Sequence, residues 1–178
     1  CVGCVNDILL SSTIGRNARH IPGKVLSQLI QGTSDFLEQM REHGVNIHLT
    51  GGETADVGDI VRTVDVGFTT FARLPRQNLI VNNIQPGQLI LGLSSSGQAI
   101  YEEDYNGGMG SNGLTSARHD LFHKDYAKKY PESCDPNLPD DIKYVGPYHL
   151  QDPISLSHGT TTIGKLVLSP TRTYLPLL

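Results

Sequence analysis

Cysteine is scarce. Three cysteines in 178 residues are too few and odd in number for a disulfide framework, which fits a reducing compartment. Basic charge is also short: 14 Lys and Arg stand against 18 Asp and Glu, a formal net charge of −4 with a pI near 5.9. Binding to a phosphate backbone runs on basic surface, so a nucleic-acid partner is not expected. Long apolar runs are missing as well. Leu89-Ile90-Leu91 and Leu166-Val167-Leu168 fall far short of the roughly 20 residues that span a bilayer, and no segment has the charged start and apolar centre of a signal peptide. A soluble, cytoplasmic chain with no membrane partner is the expectation. Two nucleotide signatures are absent: neither G-x-x-x-x-G-K-[ST] nor a G-x-G-x-x-G opening a βαβ unit occurs, so a common P-loop or Rossmann site is not supported. Cys1-Val2-Gly3-Cys4 has no second CxxC and no clear further ligands, and reads as small thiols rather than as a zinc or redox centre. There is no internal repeat and no low-complexity tract.

What is present is a chain long enough for one domain or for the joined parts of two. Between Pro22 and Gly44, the residues Val25, Leu26, Leu29, Ile30, Phe36, Leu37 and Met40 recur at steps of three and four. This predicts an amphipathic helix with Pro at its start and Gly past its end. Val45 to Leu49 reads as a short buried strand with Gly51-Gly52-Glu53-Thr54-Ala55-Asp56 as its loop, and 61–71 alternates as a second strand. Residues 74–85 are polar and irregular and fit a domain boundary. Pro86-Gly87 then turns into an expected strand over 88–93, which ends at Ser94-Ser95-Ser96-Gly97. Gly107 to Gly113 leads into an expected helix from Leu114 to about Tyr130. Residues 131–162, rich in Pro, Asp, Gly and Thr, suggest a long excursion or a mobile flap. The chain opens almost on Val5-Asn6-Asp7 and stops at Tyr174-Leu175-Pro176-Leu177-Leu178 without a closing element, so a fragment of a longer protein is expected.

The chemistry concentrates at a few places. Asp7 sits beside Asn6 in an apolar setting, where a carboxylate is costly unless it caps a helix or meets a cation. Either a helix N-cap before Ile8 or a ligand role accounts for it. Glu53 follows two glycines that permit tight exit from a strand and close approach to a ligand, and Asp56 and Asp59 add charge. Magnesium takes hard oxygen ligands from one or two carboxylates plus phosphate, so this is either a Mg²⁺–nucleotide loop or a solvated acidic turn. Ser111-Asn112-Gly113 opens the expected helix, where free N–H groups favour an anion. His119-Asp120-Leu121-Phe122-His123 places two histidines at i and i+4, near the zinc-protease pattern H-E-x-x-H but with Asp for the Glu base. No third ligand is evident, although His149 and His158 are available, and the lysines nearby suggest an ordinary solvated face.

Five stretches together carry a resemblance: Cys4-Val5-Asn6-Asp7-Ile8-Leu9, Gly51-Gly52-Glu53-Thr54-Ala55-Asp56, Pro86 to Gly97, Ser111-Asn112-Gly113 and Leu168-Ser169-Pro170-Thr171-Arg172-Thr173-Tyr174. In this order they resemble the aminoimidazole ribonucleotide synthetase family, also called phosphoribosylformylglycinamidine cyclo-ligase. The resemblance implies an ATP-dependent enzyme of purine biosynthesis. It would close the imidazole ring of formylglycinamidine ribonucleotide after phosphorylation of the amide oxygen, with Mg²⁺ and ATP as cofactors. It implies an α/β fold of two domains with mixed sheets packed with helices. Residues 1–83 would be the later part of an ATP-binding, dimer-forming N-terminal domain, and 84–178 the early part of a C-terminal α/β domain. Carried over residue by residue, Asp7 and Glu53 look like metal ligands, and with Asn6, Gly51 and Gly52 they form the ATP side. Ser111, Asn112 and Gly113 line the substrate side, and a homodimer is implied. The chain departs from the family where G-P-H-S-N-G usually follows the serines: residues 98–109 intervene, and Gly110 precedes Ser111 with no histidine. That departure keeps a non-catalytic nucleotide-binding relative open. The shared architecture also keeps open an enzyme of the selenophosphate synthetase or thiamin-monophosphate kinase type.

Overall fold

In the computed structural model, which describes residues 3–177, the chain divides into two units, 1–90 with 173–178 and 91–172. The first is built on strand β1 (Ile8–Arg16), helix α1 (Gly23–Glu42), strand β2 (Ile47–Asp56) and strand β3 (Val64–Phe71). The sheet order is β2-β1-β3, with β1 parallel to β2 and antiparallel to β3. Parallel neighbours need a crossover connection, and α1 supplies it. Its ends follow the sequence signals. Pro22 stands at the N-cap with φ −69°, and Gly44 takes φ +80° just past the C-cap. The Gly44 and Val45 amides donate to the Arg41 and Met40 carbonyls, closing the last turn.

Ile8, Leu10 and Ile14 of β1 point inward and are buried with Leu37 and Met40 of α1 and with Val45 and Ile47. Ile8, Met40 and Val45 are fully buried, each contributing about 1.5–3 kcal/mol of apolar transfer energy. The helix packs through Leu37 and Met40 near its C-terminus, while Val25, Ile30 and Phe36 remain exposed.

Three expectations for this region change. Asp7 does not cap a helix: Ile8 onward is a strand, because the alternation of Ile8, Leu10 and Ile14 finds ladder partners on both sides. Gly51 to Asp56 is not a loop but the second half of β2, paired with β1 as far as Arg16↔Asp56. The run 88–93 forms no strand, and Leu89 and Ile90 are almost fully exposed. An apolar run without a ladder partner has nothing to hold it as a strand. Cys1, half of the C-V-G-C pair, lies outside the described residues, while Cys4 is buried with a free thiol.

The second unit has a core of Ala117, Phe122, Cys134, Tyr144, Ile163 and Val167. The expected helix over 114–130 breaks into α2 (Gly113–Ser116), a π-helical turn at Ala117–Leu121 and α3 (Asp125–Lys129), with Phe122 extended between them. The break lets Phe122 enter the core. It also frees residues 119–123 to run beside 145–148, through Val145 N–H to His119 O, Gly146 N–H to Phe122 O, Tyr148 N–H to Leu121 O and His123 N–H to Tyr148 O. Residues 131–162 are not a flap. They supply Cys134 and Tyr144 to the core, and end in a hairpin of β4 (Pro153–Leu156) and β5 (Gly159–Thr162). Helix α4 (Ile163–Val167) follows, with the Thr162 hydroxyl capping the Lys165 amide. No described helix is long and apolar enough to cross a membrane.

Candidate functional site

The two carboxylates singled out in the first unit are placed by the β1–β2 register. Ile8 pairs with Ile47 and Thr13 with Glu53, so Asp7 lies six residues before the partner of Glu53 along β1, roughly 20 Å at ~3.3 Å per residue. Within one chain they stand toward opposite ends of the sheet. Asp7 is exposed, with φ +55°. Its neighbour Asn6 accepts a 2.8 Å hydrogen bond from the Asn46 side-chain amide, tying the start of β1 to the turn before β2. Glu53 is exposed on the sheet face opposite Ile8, Leu10 and Ile14, beside Thr13, which pairs on its other side with Gly67.

Gly51 and Gly52 have a structural cause. The ladder slips between Leu10 and Ser12, so that Ser12 pairs with Gly52, and the Thr50 hydroxyl donates to the Leu10 carbonyl at 3.0 Å beside the irregularity. Gly51 takes φ +101°. A Cβ on Gly52 would lie 1.9 Å from the Ser12 carbonyl oxygen. The pair is required by a bulge-like irregularity in a parallel ladder.

At the carboxyl end of β1 and β2, Asn17, Arg19, Asp56, Val57, Gly58, Asp59 and Ile60 line a cleft of about 390 Å³. Asp56 Oδ1 accepts from the Ala18 amide at 3.1 Å. Carboxylates, a guanidinium and a side-chain amide in one cleft make a donor set that suits a hydrated divalent cation with phosphate oxygens.

In the second unit three of the sequence motifs meet. Met109 bridges to Pro170, with its amide donating to Ser169 O and the Thr171 amide donating to Met109 O. Met109, Gly110, Ser111, Asn112 and Leu114 line a cleft of about 590 Å³ with Val167, Leu168, Pro170 and Thr171. Next to it, Arg172 Nε donates to Glu102 Oε1 at 2.9 Å, and both side chains are largely buried. Arg172 Nη1 reaches Ser94 O at 3.4 Å. Glu102 also accepts from Asn106 Nδ2 and from the Ala99 amide. The segment 98–109, which interrupts the family pattern, therefore supplies the carboxylate that holds Arg172 against the serine turn. Arg172 Nη2 is the one buried side-chain donor without a partner among the described residues. Helix α2 is four residues long and Asn112 makes no side-chain cap bond. The anion-binding argument from a long helix dipole therefore loses its basis.

The His119–His123 pair is also taken apart. The π turn and extended Phe122 send the two rings to different neighbours. His119 packs edge-on to Tyr144 and its Nδ1 accepts the Tyr144 amide at 3.3 Å. Burial, then the Arg118 guanidinium, hold its imidazole below the usual pKa of 6.5, with Asp120 opposing and Lys143 adding to the effect. His123 instead meets Asp125 and His149.

Sequence similarity bears on what these clefts serve. The chain is 31% identical over 151 residues to a phosphoribosylformylglycinamidine cyclo-ligase of Methanococcus maripaludis strain C5, covering 84% of this chain and 32% of the relative. Two further relatives bear the same name. A Staphylococcus carnosus cyclo-ligase is 32% identical over 127 residues, 65% of this chain and 32% of its own length. One from Methanocaldococcus jannaschii is 28% identical over 156 residues, 87% and 33% respectively. The chain thus spans about a third of the length of the curated cyclo-ligases it matches. No protein-family model matches it. Glu102 and the Arg172 cradle escaped the sequence reading, because a partner pair 70 residues apart leaves no periodic trace. The SPTR motif was the only pointer.

Proposed function

We propose that the protein carrying this chain performs the ATP-dependent ring closure of formylglycinamidine ribonucleotide to aminoimidazole ribonucleotide. The observation that supports this most is that the Ser111-Asn112 and Pro170-Thr171 stretches line one cleft, while Arg172, the next residue, bonds the serine turn through Ser94 O. Those stretches carry the cyclo-ligase resemblance, and cyclo-ligases are what the chain is similar to over most of its length.

In this reading ATP with Mg²⁺ supplies the phosphoryl group that activates the amide oxygen. The chain's residues bind and position. Exposed Glu53, with Asp56 and Asp59 at the carboxyl end of β1 and β2, offers hard oxygens for the cation, and Arg19 offers positive charge for phosphate. Asp7, at the other end of β1, makes a separate contact with nucleotide or metal, with Asn6 bracing it. Ser111 and Asn112 offer a hydroxyl and an amide to the ribonucleotide. Arg172, held by Glu102 and the Ser94 carbonyl, braces the serine turn beside the segment that lines this cleft. Positioning and charge neutralisation of this kind account for most of catalysis in phosphoryl transfer. Leu9 and Phe71 stand exposed on the open sheet face, 40% and 59%, and a homodimer would cover them.

The absence of a histidine before Ser111 favours a second reading, a nucleotide-binding relative without turnover. Purified full-length protein separates the two. Phosphate release that depends on the ribonucleotide supports the ligase, and ATP binding without release supports the binding protein.

A further inference from the structure

We propose that His123, Asp125 and His149 form a binding site for a divalent transition metal of the zinc class, clipping the start of α3 to the segment that leads into the β4–β5 hairpin. The three side chains offer two imidazole nitrogens and a carboxylate oxygen, all within 4.8 Å of one another. Asp125 Oδ2 lies 3.1 Å from His123 Nδ1 and 3.9 Å from His149 Nε2. Tetrahedral zinc at ~2.0–2.1 Å from its ligands needs ligand atoms about 3.3 Å apart, so closing the set takes shifts of an ångström or so in partly exposed side chains. The backbone has already done the larger part. The Phe122–Tyr148 bridge and the His123 N–H bond to Tyr148 O set the two histidines side by side, with ring centroids 5.0 Å apart.

Two further features fit a metal. The one lone pair of His123 Nδ1 accepts from the Asp125 amide in a long 3.4 Å contact, which metal binding would replace. Among the described residues, the ion-pair partners of Asp125 are these two histidines and no lysine or arginine. A dication bound between them would give this carboxylate a full counter-charge and take one nitrogen lone pair from each ring. Finally, His149 Nδ1 lies 3.8 Å from Asp152 Oδ2, whose position is fixed by a 2.7 Å bond from the His149 amide. A carboxylate behind the non-ligating nitrogen is the usual outer partner of a metal-bound histidine. Imidazole with one carboxylate suits zinc, cobalt or nickel rather than magnesium or calcium. Two histidines and one aspartate leave a tetrahedral position for water. Side-chain exposures of 34–61% leave the site open to entry.

The test is Zn²⁺ titration of the untagged, chelator-treated full chain by calorimetry, with Co²⁺ absorption as a second probe. One equivalent of Zn²⁺ is expected to bind, and a tetrahedral cobalt spectrum to appear. His123→Ala and His149→Ala should each lose saturable binding, while Asp152→Asn should retain one equivalent at affinity lowered about 10–100-fold. His119→Ala and His158→Ala should bind like the parent. Asp125→Asn, at an exposed position, covers the case in which a histidine variant misfolds and should weaken binding at least tenfold with an unchanged circular dichroism spectrum. No saturable binding in the parent, or full binding in the folded Asp125→Asn and His149→Ala variants, overturns the proposal.

Discussion

Replacing Gly52 by alanine separates a structural from a ligand-directed cause for the Gly-Gly pair. The added Cβ would sit 1.9 Å from the Ser12 carbonyl oxygen, 2.6 Å from Ser12 Oγ and 2.8 Å from its carbonyl carbon. The oxygen belongs to backbone, so no rotamer change relieves the clash, and β1 and β2 must part by more than an ångström. Overpacking costs typically ~1–3 kcal/mol, and each ladder hydrogen bond lost adds about 1 kcal/mol. A total of roughly 3–5 kcal/mol follows, against about 5–15 kcal/mol for a whole domain. With a urea slope of ~2 kcal/mol/M, the midpoint should fall by about 1.5–2.5 M. Gly67→Ala on β3 is the control: nothing lies within 4 Å of its added Cβ and its φ is not positive, so its midpoint should stay within about 0.5 M of the parent. Equal midpoints for the two variants would refute the close-approach reasoning. A stable Gly52→Ala with lost nucleotide affinity would assign the glycine to the ligand instead.

Glu102→Ala should destabilise by about 3–5 kcal/mol, because it strands the buried Arg172 guanidinium; thermal melts check this, and Glu102→Gln, which keeps the acceptor oxygen, should lose less. Asn112→Ala should leave the melt nearly unchanged, since Asn112 makes no cap bond, while raising KM for the ribonucleotide or lowering kcat in steady-state assays. The lowered pKa of His119 means that the unfolded chain takes up its proton first as pH falls. The stabilising contribution is therefore complete above about 6.5 and declines as pH drops from there through the lowered native value. His119→Gln should flatten that acid limb in urea midpoints measured between pH 7.5 and 5. Asp7→Ala and Glu53→Ala, acting at opposite ends of β1, should weaken Mg²⁺-ATP binding additively in calorimetry rather than as one coupled pair.

Local signals were legible where they were self-contained. The helix between Pro22 and Gly44 needs only its own periodicity, its proline and its glycine, and α1 runs over Gly23–Glu42. The alternating strand before Phe71 is legible for the same reason. Elements that depend on a partner were not. A capped helix beginning near Ile8 stays open beside a ligand role for Asp7 until two neighbouring strands claim the segment, and Gly51 to Asp56 reads as a loop until the slip at Ser12 gives the glycines a place within a ladder. The residues 114–130 carry helical spacing throughout, yet burial of Phe122 overrides it. Likewise the His119–His123 spacing reads as an ordinary solvated helix face, whereas the break sets His123 beside His149 and Asp125, a regrouping that depends on the neighbouring segment 145–148. The motifs Ser111-Asn112-Gly113 and Ser169-Pro170-Thr171-Arg172 were visible as types, but the carboxylate orienting Arg172 was not.

Ring closure by purified full-length protein, followed as aminoimidazole ribonucleotide formed from formylglycinamidine ribonucleotide with Mg²⁺-ATP, tests the central claim most directly. The account predicts turnover that requires all three components and falls at least tenfold in Glu53→Ala and in Arg172→Ala. ATP binding without ribonucleotide-dependent phosphate release, in protein that is folded and binds the ribonucleotide, would contradict it.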